Sequence, residues 1–203
     1  MKLHYAPGTI SIAIAIALEE AGIAYDAQSL DFAAGEQQSK AYAAINPKGR
    51  VPALEVEGTI LTETGAILEY VATLAPGLLP ADPIMAARAR AVMFYLASTM
   101  HVNHAHKMRG HRWADNQESW ADMAAKVPET MATSAAYVES DCLTGPYILG
   151  DTACIADAYL FVVCNWLPGD GVDLTPFPKL RAFLAAMEDR PSVKAVRANG
   201  MLP

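Results

Sequence analysis

Apolar and polar positions along residues 1–74 alternate between two periods. Short segments of strand-like composition are separated by longer runs in which apolar residues recur every three or four positions, as on one face of a helix. A two-residue Glu57-Gly58 turn between two of the short segments predicts a β-hairpin. The predicted order is β-α-β-α-β-β-α, over residues 2–5, 11–22, 25–30, 39–44, 51–56, 59–61 and 63–74.

The helix predicted over residues 11–22 is almost entirely apolar. Ile12, Ile14 and Ile16 alternate as they would in a strand, but the intervening alanines and the two glutamates that follow favour a helix. Gly22 stands where a C-terminal cap is expected. We therefore expect this helix to be buried nearly all round.

Beyond residue 74 the pattern becomes helical. Residues 75–83 are rich in proline and lack periodicity, which is typical of a linker. Apolar spacing of three and four then predicts helices over 83–109 and 117–142, a third from about 154 and a fourth over 178–189, with Pro128 as a kink or break. The expected organisation is a first domain at 1–76, a linker at 77–83 and an all-helical domain at 84–203.

Composition and charge narrow the class of protein. A hydrophobic share of 53% with 18% charged residues can fill a core, so disorder is excluded. A net charge of −7 disfavours nucleic acid as a partner. The three cysteines lack C-x-x-C spacing, and the apolar run 10–18 is too short to cross a bilayer. We expect a cytoplasmic protein with no membrane partner.

Three ordered segments carry a resemblance to a known family. Residues 46–54 (NPKGRVPAL), 61–67 (LTETGAI) and 155–160 (IADAYL) resemble the signature segments of cytosolic glutathione transferases, and residues 1–8 with the His106-Lys107 pair are most similar to the bacterial beta class. The resemblance implies a thioredoxin-like glutathione-binding domain, an all-helical domain that contributes the electrophile site, and a homodimer. It implies a detoxification enzyme that joins glutathione to a small, apolar electrophile.

Pro52 and Glu63 are the residues from which a glutathione site can be argued. A proline inside an apparent strand belongs at a strand start or an edge, and a cis bond there leaves the Val51 main chain unpaired for an extended peptide. The amides that begin the helix at Glu63 and Thr64 suit a carboxylate, while the Glu63 side chain suits an ammonium. One γ-glutamyl group presents both charges. Residues 46–49 are expected to form an exposed turn beside them.

The glutathione thiol must be activated, because the thiolate is the nucleophile. A hydroxyl hydrogen bond beside a helix N-terminus favours the anion, and the candidates are Ser11, Thr9 and Tyr5. Ser11 is favoured, against the simpler interpretation that it only caps the helix. Ile10 occupies the position at which the beta class typically has a cysteine, so the mixed disulfide of that class is excluded.

The segment 101–111 contains four histidines, but their spacing does not suit a metal site, so no metal is expected. The resemblance places His106 and Lys107 in the active-site cleft, where His106 interacts with thiolate or substrate; Asn103, one turn earlier, joins them as a binding residue. Trp113, Trp120 and Met108 are interpreted as core rather than as an apolar pocket. Asp157 is expected to cap a helix in reverse.

Ile10 keeps two alternatives open beside the transferase. One is a non-catalytic glutathione-binding or interaction protein on the same scaffold, because isoleucine cannot polarise a sulfur. The other is a glutathione-dependent peroxidase, which needs the same thiolate and differs in the electrophile.

Overall fold

The computed structural model describes residues 1–202 and divides them into two compact units. The first comprises Met1–Asp82 with residues 187–202, and the second comprises Pro83–Ala186. The boundary between Asp82 and Pro83 falls at the end of the proline-rich segment. The domain boundaries proposed from the sequence remain a prediction, since packing units and domains are different divisions of a chain. Within the described residues, no helix has both the length and the apolar character that a membrane span requires.

The first unit contains a four-stranded mixed sheet in the order β2-β1-β3-β4. β1 pairs with β2 in parallel and with β3 in antiparallel fashion, and β4 pairs with β3. The strands and helices of this unit follow the predicted order β-α-β-α-β-β-α, which confirms the fold predicted for the first part of the chain. The elements are β1 (Lys2–Tyr5), α1 (Ile12–Ala21), β2 (Asp26–Ser29), α2 (Lys40–Ala43), β3 (Ala53–Val56), β4 (Thr59–Thr62) and α3 (Thr64–Leu74).

Helix α1 forms the centre of the first unit, as its composition predicts. Every residue from Ile12 to Leu18 is buried, so the helix has no solvent face over its first two turns. Gly22 ends it at φ 64°, a left-handed conformation that glycine adopts without a Cβ clash. The turn between β3 and β4 is also determined by local sequence, since Glu57 and Gly58 both adopt the positive φ that a two-residue hairpin turn requires.

The second unit is helical, as predicted. The long helix expected over 83–109 is continuous but contains a π-helical turn, and the helix expected over 117–142 runs through Pro128 without a break and ends in another π-helical turn. The elements are α4 (Pro83–Tyr95), the turn Leu96–Met100, α5 (His101–Arg109), α6 (Gln117–Tyr137), the turn Val138–Cys142, α7 (Ile155–Cys164) and α8 (Pro178–Glu188), whose last two residues are assigned to the first unit.

Helix α7 is buried along its whole length and is anchored by Asp157 at its start. The Cys154 amide donates to Oδ2 of Asp157 at 2.8 Å, and the Ile148 amide donates to Oδ1 at 2.8 Å. The predicted reverse cap is therefore confirmed, and the same carboxylate also fixes the preceding loop.

A last helix, α9 (Pro191–Ala198), was not predicted from the sequence. It packs on α1 in the first unit. Arg190 donates to both carboxylate oxygens of Glu20 at 2.6 Å, and the Ser192 hydroxyl also donates to Glu20. These bonds hold the pKa of Glu20 below its ordinary value despite the opposing effect of burial. The C-terminal segment thereby becomes part of the first unit.

His4 makes the first unit sensitive to acid. It is 5% exposed, its Nε2 atom is buried without a partner, and burial lowers its pKa from the ordinary 6.5. The unfolded chain therefore takes up a proton at His4 before the folded chain does, so stability falls as the pH drops below 6.5. One proton limits this slope to about 1.4 kcal/mol per pH unit.

We expect His4→Gln to flatten the pH dependence of the urea-unfolding free energy between about pH 7 and pH 5. His111→Gln, at an exposed histidine, is the control. An unchanged slope in His4→Gln would show that His4 does not govern this range.

Candidate functional site

The loop before β3 is held in place by side chains that point into it. The Tyr42 hydroxyl and the Asn46 amide nitrogen donate to the Arg50 carbonyl at 2.8 and 2.7 Å. The Lys48 amide donates back to Asn46 Oδ1 at 3.1 Å. Asn46 is 1% exposed, so the expectation of an exposed turn is wrong at that residue, because its amide is consumed inside the loop. These hydrogen bonds hold the loop that leads to Val51 in one conformation.

The main chain of Val51 is unpaired within residues 1–202, as the sequence predicts for a cis bond before Pro52. The Val51–Pro52 peptide is cis, and β3 begins immediately afterwards at Ala53. Pro52 thus stands at a strand start rather than an edge, since β3 lies between β1 and β4. Among the described residues, no hydrogen bond involves the Val51 amide or carbonyl. An extended peptide is a suitable partner for such groups.

Glu63 and Thr64 stand at the start of α3. Glu63 precedes the helix with φ 72°, and its carbonyl accepts from the Ile67 amide at 3.0 Å. Its side chain is 72% exposed, and Oε1 accepts from Lys48 Nζ at 2.5 Å, which leaves Oε2 for another cation. Thr64 is buried. A carboxylate beside free helix amides provides complementary sites for an ammonium and a carboxylate.

Of the two interpretations offered for Ser11, the structure contradicts the helix cap, and the role as donor to the glutathione sulfur remains a prediction. Its side chain makes no N-cap hydrogen bond, so the simple cap is wrong. The residue is 0% exposed, and its Oγ instead accepts from the Ala6 amide at 3.2 Å and lies 2.6 Å from Thr9 Oγ1. Thr9, which is half-buried, donates to the Ala6 carbonyl at 2.8 Å. Ser11 thus lies behind Thr9, and Ile10 between them is buried.

Tyr5, the third candidate, is the last residue of β1 and directly precedes Ala6. It is 9% exposed and lines a cavity of about 510 Å³ together with Glu19 and Tyr25. The hydroxyl of Tyr25 donates to Glu19 in this cavity, and burial raises the pKa of Tyr25. Neither Thr9, Ser11 nor Val51 lines it.

The predicted residues of α5 point in different directions within the second unit. His106 packs edge-on against Trp113, with ring centroids 4.4 Å apart. Lys107 donates to the Gly169 carbonyl, and Asn103 donates to Ser134 Oγ at 3.3 Å. Adjacent helical residues are about 100° apart, so the side chains of His106 and Lys107 diverge. Their predicted roles, and that of Asn103, remain predictions.

The prediction that Met108 and Trp113 belong to the core is wrong. Met108 is 84% exposed and Trp113 is 46% exposed. Trp120 is half-buried, and its indole nitrogen donates to the Ala114 carbonyl at 2.6 Å. A helical period of apolar residues therefore does not by itself identify a buried face.

All three cysteines are free and buried. Burial raises the pKa of the Cys142 thiol to about 11 and raises those of Cys154 and Cys164 further, so none is a ready nucleophile. Across residues 1–202, no cluster of three or more histidine, cysteine or acidic side chains is arranged to hold a metal ion.

Family comparisons agree with the motifs. Residues 1–73 match the family model described as Glutathione S-transferase, N-terminal domain, and residues 105–200 match the one described as Glutathione S-transferase, C-terminal domain. The chain belongs to the glutathione S-transferase family. The family and the class of enzyme predicted from the sequence, a transferase, are confirmed.

Individual relatives span nearly the whole chain. Glutathione S-transferase GstA of Escherichia coli O157:H7 is 32% identical, and the match covers 99% of this chain and all of the relative. Maleylacetoacetate isomerase of Pseudomonas aeruginosa is 31% identical, and the match covers 89% of this chain and 88% of the relative. A crystal structure of a glutathione transferase homologue from Sulfitobacter with bound glutathione is 60% identical, covers 99% of this chain and 98% of its own, and has a TM-score of 0.98.

Sequence reasoning missed four residues that shape these sites. Tyr42 and Lys48 position the loop and the Glu63 carboxylate, while His104 and Asp170 pair in the second unit. Lys48 lies inside a predicted turn, and its distance of 15 residues from Glu63 offers no local signal. Asp170 is 66 residues from His104, so only the fold brings the pair together.

Proposed function

We propose that this protein conjugates the thiolate of glutathione to a small, apolar electrophile. The observation that carries the proposal is the Val51 main chain, which is unpaired within the described chain and lies in a loop fixed by Tyr42 and Asn46. An extended tripeptide can hydrogen-bond to both the amide and the carbonyl of Val51. Cytoplasmic location, assembly as a homodimer and a detoxifying role belong to the same proposal.

The γ-glutamyl end of glutathione is assigned to the start of α3. Its carboxylate accepts from the first-turn amides at Thr64, where the helix dipole favours a negative charge. Its ammonium binds Oε2 of Glu63, the oxygen that Lys48 leaves free. The helix start and Glu63 together suit the zwitterionic group of this ligand better than they suit a simple anion.

Thr9 is assigned as the direct donor to the sulfur. Ser11 is fully buried, so it acts through Thr9: the Ala6 amide donates to Ser11, Ser11 donates to Thr9, and Thr9 turns its proton from the Ala6 carbonyl to the thiolate. Hydrogen bonds in such a chain polarise one another, which strengthens the last donor. A hydrogen bond to the charged form favours the thiolate.

Thr9→Val is expected to lower kcat for conjugation of glutathione to 1-chloro-2,4-dinitrobenzene roughly 10- to 150-fold, since one hydrogen bond to a charged group contributes about 1.5–3 kcal/mol. Thr73→Val is the matched control, because Thr73 also donates to the carbonyl three residues earlier but is exposed. Ser11→Ala should lower kcat less than Thr9→Val does. Activity abolished in Ser11→Ala and retained in Thr9→Val would reverse the order of the two hydroxyls.

Ile10 favours a second candidate, a protein that binds glutathione without turnover. Glutathione should raise the melting temperature in either case, because binding to the folded state stabilises it. Intact binding with no turnover of aryl halides, peroxides or unsaturated oxo acids would favour the second candidate. Peroxides represent the peroxidase alternative, and unsaturated oxo acids represent the isomerisation that the name of the Pseudomonas relative describes.

A further inference from the structure

The open cavity of about 510 Å³ beside Tyr5 lies wholly within the first unit. Its walls come from the C-terminal end of α1 and the turn after it, from β1 and β2, and from the segment that follows α9. None of the residues that we assign to glutathione, Thr9, Val51, Glu63 and Thr64, lines it. Its volume falls in the range of about 300–1,000 Å³ that is typical of small-molecule sites.

Glu19 is the one charged side chain among the described residues that line this cavity. It is half-buried, and its Oε1 accepts from the Tyr25 hydroxyl at 3.2 Å. No cation within residues 1–202 forms an ion pair with it, whereas Arg190 binds both oxygens of the adjacent Glu20. A half-buried carboxylate without a counter-charge raises the free energy of the folded chain, and a bound cation lowers it. Oε2 of Glu19 is the oxygen available to such a cation.

Tyr5 and Tyr25 are the aromatic side chains of the cavity. Burial and the Glu19 carboxylate raise the pKa of Tyr25, and Tyr5 raises it further, so the two phenols are neighbours and Tyr25 stays a neutral donor to Glu19. The Tyr5 hydroxyl forms no hydrogen bond within the described chain, and its oxygen can accept one. Tyrosine rings also attract ammonium groups to their faces.

The composition of the lining selects one class of ligand. Anions are disfavoured, because the charge that lines the cavity is negative. A hard metal ion needs about six oxygen ligands, which one carboxylate and two neutral phenols do not supply. Ile23 and Met201 add apolar surface to the walls. An organic cation suits both parts of the cavity, since its charge compensates Glu19 and its body covers the apolar surface.

We propose that this cavity binds a small primary ammonium ion that carries an apolar body. The ammonium donates to Oε2 of Glu19 and to the hydroxyl oxygen of Tyr5, while Tyr25 holds the carboxylate in place. A primary ammonium fits better than a quaternary one, because only the primary ion has N–H donors for both oxygens. The site goes beyond the proposed transferase function and does not depend on it.

Three ligands of nearly equal size separate the contribution of charge from that of shape. Benzylammonium, benzyl alcohol and benzoate are titrated in turn into the isotope-labelled full chain at constant ionic strength, and the backbone amide signals are followed by NMR. We expect benzylammonium to shift the amide signals of cavity residues such as Gly22 and Asn199, with a roughly millimolar Kd because the ligand is small. The alcohol should bind at least about tenfold more weakly, and benzoate should leave these signals unchanged.

Glu19→Gln tests the charged contact, because it keeps the size of the side chain. It should weaken binding of benzylammonium at least about tenfold and leave binding of benzyl alcohol unchanged. Glu57→Gln, which removes the same charge from an exposed turn of the same unit, is the matched control and should stay within about twofold of wild type. Ala27→Phe fills the cavity from an exposed position on the edge strand β2 and leaves Glu19 intact, so it should weaken both ligands.

Three outcomes would overturn the proposal. The ammonium and the alcohol could bind with equal affinity, or benzylammonium could bind Glu19→Gln or Ala27→Phe as tightly as wild type. The signal shifts could also spread over acidic residues outside the cavity, which would show adventitious ion pairing only.

Discussion

Replacing Asp157 with alanine is expected to lower the free energy of unfolding by about 3–5 kcal/mol, because two buried amides lose their acceptor at once. The side chain is 0% exposed and accepts from Ile148 and Cys154, each at 2.8 Å. Each unsatisfied buried donor costs about 1–3 kcal/mol, since neither amide can reach water. Urea unfolding followed by circular dichroism measures the change.

Asp173→Ala is the matched control for this prediction. The Asp173 carboxylate likewise accepts a hydrogen bond from a backbone amide, that of Thr175, but Asp173 is exposed at the surface. We expect a small effect there, because water replaces the lost acceptor. A comparable loss of stability in the two variants would show that burial of the Asp157 carboxylate is not what anchors α7.

Glu63→Gln is expected to raise the Kd for glutathione about 100-fold, equivalent to about 2.7 kcal/mol. The substitution keeps the size of the side chain but removes the negative charge. Lys48 then repels the ligand ammonium, because its own partner has been neutralised. Isothermal titration calorimetry measures the affinity directly, without relying on turnover.

Glu57→Gln is the control for Glu63, since both glutamates have positive φ in the first unit. The Glu57 side chain lies on the β3–β4 turn, away from Lys48, so its neutralisation should leave the affinity for glutathione within about twofold. Equal weakening in the two variants would indicate a general effect of net charge. An unchanged affinity in Glu63→Gln would remove Glu63 from the site.

Local features of the fold were predictable because their causes are local. Gly22 ends α1 in a left-handed conformation, and the Glu57-Gly58 pair makes the hairpin turn. The near-continuous apolar run of α1 correctly indicated a helix without a solvent face. The position of Pro52 at a strand start was also predictable, because proline cannot donate to a sheet, whereas the cis bond before it was only one possibility.

Other features depend on partners that are distant in sequence. Helix α9 is only eight residues long, and the segment is held on α1 in part by the bonds of Arg190 and Ser192 to Glu20, about 170 residues away. The helical period in residues 108–120 predicted a buried face, yet Met108 is exposed. Periodicity defines a helix, but only tertiary packing decides which side of it is covered.

The candidate site divides in the same way. Val51, Glu63 and Thr64 could be proposed as binding residues from the sequence, because a proline and a helix start are visible in it. The contact of the buried Ser11 with Thr9 could not be predicted, since it depends on the chain turning back at Ala6. Side-chain direction is what the sequence lacks, and for a thiol donor that direction decides the assignment.

The central claim, that the first unit binds glutathione through the Val51 main chain and the γ-glutamyl group at Glu63 and Thr64, is tested most directly by calorimetric titration. Glutathione is compared with the dipeptide cysteinylglycine, which retains the thiol but lacks the γ-glutamyl group. We expect the dipeptide to bind at least about 100-fold more weakly than glutathione. Equal affinity for the two ligands would contradict it.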